Sequence, residues 1–463
     1  MRAIMPTPIH DFIAIGLGPF NLGLACLTDP LEDVNGLFLE RKAGFDWHPG
    51  MLLEDATLQT PFLADLVTLA DPTSRFSFLN YLKRQDKLYA FYIRENFFPL
   101  RREYNHYCQW AIDQLTSIRF HHEVQRIDFD ADDDCYVVHC VDTARDTATS
   151  HRARKLVLGT GTQPDLPACC RPHAERITHS ADYLAHKAWL QQQPAITLVG
   201  SGQSAAEIYK DLLQDIDRYG YTLNWITRSP RFFPLEYGKL TLEMTSPEYI
   251  DYFHALPQAT RDALMSQQAN LYKGIDLALV NEIYDLLYAK RLGGPVDTHL
   301  LTNAELQDCH YDAARATFEL GLYQTEQRRP YRHTTPALVM ATGYRYREPG
   351  FLSPIHAHIR RDAAGRFAVD RFYSIDHDRS RLFVQNAERH THGLAAPDLG
   401  MACYRNACII RELTGIEHYP IERRIAFQTF GTPDDAVFRP APRPARRQPT
   451  ADETAPLTCE VPK

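Results

Sequence analysis

Two glycine turns, Gly16-Leu17-Gly18-Pro19-Phe20-Asn21 and Gly200-Ser201-Gly202-Gln203-Ser204-Ala205, are the residues of this chain best suited to holding phosphate. Glycine lets the backbone approach a pyrophosphate, and the amides and dipole of a following helix favour its negative charge. Each turn closes an apolar run, Asp11-Phe-Ile-Ala-Ile15 or Ala195-Ile-Thr-Leu-Val199, and opens a helical pattern, the context that dinucleotide binding requires. An ordinary glycine loop would explain either turn alone. Two in matched context point to two dinucleotides.

The strands downstream of the two turns end in different chemistry. The strand pattern Gly36-Leu-Phe-Leu39 ends in Glu40, whose carboxylate can accept hydrogen bonds from a ribose diol, which suits FAD. The equivalent strand Leu223-Asn-Trp-Ile-Thr227 ends in Arg228, which can pair with a 2′-phosphate and so suits NADPH. The alternative for both is an ordinary solvated charge at a strand end.

Elements of alternating type must position these turns, and the pattern reads as α/β: two Rossmann-like dinucleotide-binding domains with a helical insertion. The first part of the FAD domain is expected over 10–190, where the strand Lys155-Leu-Val-Leu158 runs into Gly159-Thr160-Gly161. The NADPH domain is expected over 191–340, with its insertion at about 235–300 containing the helical pattern Leu277–Leu287. Residues 341–431, beginning Ala341-Thr342-Gly343-Tyr344 and including a strand at Arg381–Val384 and a helix from Met401 to Leu413, should return to the FAD domain. Pro and Arg clusters from Thr432 onward predict a disordered tail over 432–463.

Composition narrows the class. With 50 Lys and Arg against 58 Asp and Glu, net charge −8, and no basic patch in the folded part, nucleic acid is not expected as a partner. No apolar run reaches the roughly 18–20 residues of a membrane span, and the start lacks a secretory core, so a cytoplasmic protein is expected. Among the 10 cysteines no Cys-x-x-Cys occurs, but Cys135 and Cys140 have a redox-like spacing. They lie on a strand pattern that would set them on opposite faces, far from the first turn, so reduced packing thiols are the reading. No metal site is expected.

Beyond the turns, an ordered run of motifs is informative: Phe45-Asp-Trp47-His48-Pro-Gly-Met51, Leu58-Gln59-Thr-Pro-Phe62-Leu63, Asp71 to Leu82, Gly200 to Glu207, Ala341 to Tyr344 and Thr391-His392-Gly393-Leu394. Together with Gly16-x-Gly-Pro-x-Asn21-Leu22 they resemble the N-hydroxylating flavin monooxygenases of siderophore biosynthesis, over roughly residues 10–430. The resemblance implies FAD and NADPH as cofactors, O₂ and a small-molecule amine as substrates, a C4a-hydroperoxyflavin as oxygen donor, a helical insertion that binds substrate, and a homo-oligomer, dimer or tetramer. It also implies that Trp47, His48, Met51 and Gln59 line the flavin ring, with Gln59 a hydrogen-bonding partner and His48 either a structural hydrogen-bonder or a base. The remaining cofactor-binding positions implied are Gly16, Gly18, Pro19, Asn21, Glu40, Thr160 and Gly161 for FAD. Gly200, Gly202, Gln203, Ser204, Arg228, Thr342, Gly343, His392 and Gly393 complete the set. Core packing is the alternative for Trp47 and Met51.

One departure from that family bears on the substrate. Branches that hydroxylate lysine or ornithine read Phe-Leu-Lys-Asp-Leu where this chain has Phe62-Leu-Ala64-Asp65-Leu66, and their lysine binds the substrate carboxylate. Ala64 cannot pair with a carboxylate, and burying one unpaired is costly. Leu242 stands where a substrate asparagine is expected, and a second asparagine is missing near Leu271–Ile275. The pattern resembles the branch acting on putrescine, cadaverine or related amines. Lys239 or Lys273 could instead compensate for the lost lysine. A diamine needs acceptors for its distal ammonium: Glu236, Glu243 and Asp65 are candidates by position, although a surface or structural carboxylate is the favoured reading of each, and backbone carbonyls or tyrosines such as Tyr237 could serve instead. Lysine or ornithine hydroxylation, or a pyridine-nucleotide disulfide oxidoreductase, are the competing activities.

Overall fold

Apolar runs buried on both sides build the centre of the molecule. In the computed structural model, which describes residues 8–236, 238–268 and 270–432, the strand Ile9–Ile15 lies between Gly36–Leu39 and Thr147–Leu158, parallel to both. Phe12, Ile13 and Ala14 are fully buried there, as expected of a parallel sheet covered on both faces. Antiparallel strands His122–Asp130 and Cys135–Asp142 extend this sheet, and Leu382–Val384 pairs in parallel with Leu156–Leu158. A strand more than 220 residues downstream thus completes the sheet that residue 9 begins.

The second parallel sheet runs in the order Thr298–Leu301, Thr222–Ile226, Ala195–Val199, Ala337–Met340 and Thr178–His179. Between its strands Thr222–Ile226 and Thr298–Leu301 the chain makes a helical excursion, including Pro247–Ala255, Gln258–Gln267 and Leu277–Arg291. An antiparallel three-stranded sheet spans Ala304–Thr335. The fold is α/β with two Rossmann-like units and a helical insertion.

Local chemistry accounts for the helix ends. Pro19 opens the helix Pro19–Thr28, where a missing N–H costs nothing. Gly220 and Gly415, both left-handed, close Gln203–Tyr219 and Ala402–Thr414. Residues through Gln428 belong to one contact-dense unit. Tyr237 and the expected tail from residue 433 onward lie outside the described residues.

Candidate active site

The first glycine turn is locked to a neighbouring loop by close approach. Gly16 has φ +87°, and a Cβ there would stand 2.5 Å from the Gly159 carbonyl oxygen; a Cβ on Gly159 would meet the Asn21 amide nitrogen at 2.4 Å. The buried Asn21 amide donates to the Gly16 carbonyl at 2.6 Å and its oxygen accepts from Gln385 at 2.7 Å. Asn21 therefore shapes the turn by bonding to protein on both sides. By contrast, a Cβ on Gly18, Gly161 or Gly343 would meet nothing within 4 Å. These three border open space, a cradle of the kind that would admit a dinucleotide.

Glu40 is held at the rim of that cradle. Its oxygens accept from the Leu17 and Lys42 amides at 2.7 and 2.9 Å, which fixes the carboxylate and leaves lone pairs for two ribose hydroxyls. Thr342, in the loop bearing Gly343, donates to the Asp165 carbonyl at 2.6 Å.

The ring-lining candidates cluster. Trp47 is anchored by its amide to Asn105 at 2.9 Å, with its ring 5.0 Å from His48 and 5.4 Å from Tyr104. His48 adopts φ +52°, and its ring packs edge-on against Tyr344 at 5.6 Å, bringing the Trp47 segment against the Ala341–Tyr344 loop. Solvent reaches this imidazole, yet protein atoms crowd it, and desolvation, followed by the Arg101 and Lys42 charges, lowers its pKa to about 4. A histidine so shifted is neutral near pH 7 and a weak base. Its geometry suits a wall of the site better than proton transfer. Met51 is buried, and its carbonyl accepts from Arg101 at 2.8 Å.

The second turn meets the first site through a polar chain. Gly202 caps the helix Gln203–Tyr219, and a Cβ on Gly200 would stand 2.5 Å from the Ala341 carbonyl oxygen. Gln59 donates to Gln203 at 3.4 Å, Gln203 to Glu207 at 2.9 Å, and Glu207 takes both arms of Arg101 at 2.8 and 2.9 Å. The sequence pattern isolates Gln59 and Gln203 separately; Arg101, which enters the chain through Glu207, has no local motif to mark it. Ser204 lies next on the helix, and Arg228 stands just beyond Ile226, whose carbonyl accepts from the Gly200 amide at 3.0 Å.

Several other candidates have different jobs. Asp65 is 2% exposed and accepts from the amides of Val67, Thr68 and Phe78 and from the Thr68 hydroxyl, at 2.6–2.9 Å. With its lone pairs committed to these partners, it takes the structural reading, a loop organiser rather than an ammonium acceptor. Glu243 likewise accepts from the Phe427 and Gln428 amides at 2.8 and 2.9 Å and from the Gln428 side chain, so it fastens the segment ending the compact unit. Leu242 sits half-buried at the end of the short helix Lys239–Leu242, and Glu236 is exposed. His392 is buried, bonded to Thr391 and the Arg371 carbonyl and stacked on Tyr373 at 4.6 Å, which commits its ring to packing rather than to a cofactor. Gly393 takes φ +62°, a region that favours glycine, and a Cβ there would crowd the Phe253 ring at 3.3 Å, so the insertion helix Pro247–Ala255 seats closely against it. Cys135 and Cys140 are buried free thiols, and desolvation pushes Cys140 up to about 12.

Ala64 is 5% exposed in the turn after Pro61. Beside it the Phe62 ring packs with Phe78, Phe91 and Phe97 at 5.7–6.4 Å, so this stretch is an aromatic wall. No cluster able to hold a metal ion occurs among the described residues.

Residues 8–346 match the model of the L-lysine 6-monooxygenase/L-ornithine 5-monooxygenase family. The chain belongs to this family. Among its members, a putrescine N-hydroxylase of Shewanella oneidensis is 51% identical over 96% of the chain and 88% of its own length. An alcaligin biosynthesis enzyme of Bordetella pertussis is also 51% identical, over 96% and 97%. The crystal structure of DfoA bound to FAD, a cadaverine monooxygenase of the desferrioxamine pathway in Erwinia amylovora, superposes with a TM-score of 0.90 at 57% identity, covering 92% of this chain and all of that one. The family's two-nucleotide architecture is the one that the paired turns build in this chain.

Proposed function

We propose that the chain is an FAD- and NADPH-dependent N-monooxygenase that hydroxylates one primary amine of an aliphatic diamine, cadaverine or putrescine, toward a hydroxamate siderophore. The observation that carries the substrate reading is Ala64, a buried methyl where amino-acid hydroxylases place a carboxylate-binding lysine. A carboxylate brought against that aromatic wall would have no partner there, at a cost that a diamine avoids.

When bound, FAD reduced by NADPH activates O₂ and supplies one oxygen atom to the amine nitrogen, with the other leaving as water. Gly16, Gly18, Glu40, Thr160 and Gly161 would hold FAD, with Trp47, Met51 and Gln59 about its ring. Gly200, Gly202, Gln203, Ser204 and Arg228 would hold NADPH. The Gln59–Gln203 contact joins the two sets, so a side chain that would line the flavin is bonded to one that would hold the nicotinamide nucleotide. Phe62 and its neighbours exclude water, which would otherwise compete for the activated oxygen. The amine must arrive unprotonated at the flavin, while its distant ammonium stays charged and needs acceptors.

The test supplies purified protein with FAD and NADPH and follows hydroxylated product by mass for cadaverine, putrescine, histamine, lysine and ornithine. Product from the diamines is expected. Product from lysine or ornithine alone would overturn the substrate assignment. The family resemblance further supports a cytoplasmic homo-oligomer; light scattering of the purified protein and fractionation of cells measure both. No helix among the described residues is long and apolar enough to cross a membrane.

A further inference from the structure

Cysteines from two distant segments gather where the connection between the nucleotide units meets the antiparallel sheet. The 3-10 helix Ala168–Arg176 follows the crossover, where Gln163–Pro164 pairs with Tyr344–Arg345, and it lies along the strand Ala304–Asp312. Contacts spaced by three residues on the helix fix that alignment. Cys170 meets Cys309, the His173 ring lies 6.2 Å from that of His310, and the Arg176 guanidinium lies 4.6 Å from the centre of the Tyr311 ring. A β-bulge between Leu306 and Asp308 precedes Cys309, which is buried with Cys170 in one apolar cluster. The Cys169 thiol, partly exposed, lies 3.9 Å from that of Cys170.

Thiols in contact are more than packing groups. Cys170 donates its S–H toward the Cys309 sulfur, a contact that outweighs burial and the neighbouring Asp308 carboxylate and lowers the Cys309 pKa, while it pushes Cys170 up. Burial alone pushes Cys140 up, and it is the chief cause of the same shift in Cys26 and Cys108. Of these thiols Cys309 is the readiest to ionise, beside a partner that stays protonated. Cys309 keeps 6% exposure and Cys170 none, so a small oxidant reaches Cys309 first. The described residues place no set of three donors for a metal ion, which leaves thiol chemistry.

We propose that Cys170 and Cys309 are a reversible dithiol that hydrogen peroxide closes to a disulfide, with Cys309 oxidised first and Cys170 resolving it. The Cys309 thiolate attacks one peroxide oxygen: an S–O bond forms, the O–O bond breaks, and hydroxide leaves to take up the proton that Cys309 released. The Cys170 sulfur then attacks the sulfenic sulfur, so that the S–S bond forms as the S–O bond breaks and the departing hydroxyl leaves as water with the Cys170 proton. Both sulfurs are oxidised, and both peroxide oxygens end as water. Peroxide is the by-product when oxygen activated by reduced flavin fails to reach an amine, so on the N-monooxygenase reading the enzyme supplies its own oxidant. The thiol chemistry does not depend on that reading. In a reducing compartment the pair rests as thiols, and exchange with small thiols reopens it. The closed bond staples the connection leaving the crossover to the antiparallel sheet.

The test treats FAD-loaded protein with a slight excess of hydrogen peroxide, alkylates the remaining thiols and maps peptides by mass without reductant. Cross-linked peptides carrying Cys170 and Cys309, separated again by dithiothreitol, are expected. Cys169→Ser should keep the cross-link and Cys309→Ser should abolish it, while Cys170→Ser should leave a sulfenic acid on Cys309 that dimedone labels. The visible spectrum of bound FAD confirms that each variant is folded. A pair that stays reduced in the wild type, or oxidation confined to Cys169, overturns the proposal whatever the variants do. NADPH and air without amine should form the same cross-link, and catalase should prevent it. A cross-link with added peroxide but none during NADPH oxidation keeps the dithiol and overturns the enzyme as its oxidant source. Failure of the wild type to oxidise NADPH at all would instead remove the reading on which that source rests.

Discussion

Arg101 and Glu207 meet in a two-pronged ion pair at 2.8 and 2.9 Å, with side chains only 12% and 5% exposed. Arg101 also grips the Met51 carbonyl, and Glu207 also takes the Gln203 side-chain amide, so one buried pair ties the segment ending at Met51 to the helix of the second turn.

Replacing Arg101 by methionine strands a carboxylate in that junction. The expected loss is about 3–5 kcal/mol of stability, because an uncompensated buried charge remains. The double change Arg101→Met with Glu207→Leu should lose less than Arg101→Met alone. Urea denaturation of the FAD-loaded protein measures both.

Ala64→Lys places a cation where a cationic substrate is proposed to lie. A fall of about tenfold or more in kcat/KM for cadaverine is expected, without efficient lysine turnover, since Leu242 and Leu271 still offer no polar contact to an amino-acid head. Product quantified by mass, alongside a melting curve to confirm folding, decides it. Unimpaired diamine turnover would place Ala64 away from the substrate.

Acid should destabilise the protein through histidines that fold in the neutral form. His48 and His151 each have a folded pKa near 4, lowered chiefly by desolvation from 6.5. Their contribution is complete above 6.5, and it is lost as pH falls from 6.5 toward 4, where the unfolded chain takes up protons first. The melting temperature should drop across that window, and less so in His151→Phe. His48→Asn should leave the shape of the kcat/KM profile between about pH 6 and 9 unaltered, since a side chain already neutral titrates nothing there.

Glu243→Gln tests the reassignment of that residue. The amide can no longer accept with both ends, so the hold on Phe427 and Gln428 should weaken and proteolysis near residues 425–428 should quicken, while the KM for cadaverine moves by less than about threefold. A larger change in KM with unaltered proteolysis would return Glu243 to the substrate.

Local patterns foretold much of this. Glycine turns following apolar strands, Glu40 and Arg228 at strand ends, and the helical spacing of Leu277–Leu287 are all properties of neighbouring residues, and each took the expected secondary structure. What stayed hidden was decided by distant partners. Glu243 meets a backbone 184 residues away, Arg101 a carboxylate 106 away, and Asn21 an amide 364 away. No periodicity carries such pairings. Asp65 stayed open for the opposite reason: its neighbours Val67 and Thr68 satisfy it, a loop-capping use that residue type alone does not distinguish from ligand binding.

The tie between Asn21 and Gln385 bears on how the protein is made. A nascent chain emerging from the ribosome presents its first phosphate cradle early, yet the strand and amide that finish it arrive only with Leu382–Gln385. Until then the sheet lacks its last parallel partner, and apolar edges wait uncovered through most of synthesis. Flavin loading should therefore wait for the end of translation, and truncation anywhere before the last strand should yield aggregate rather than a smaller flavoprotein.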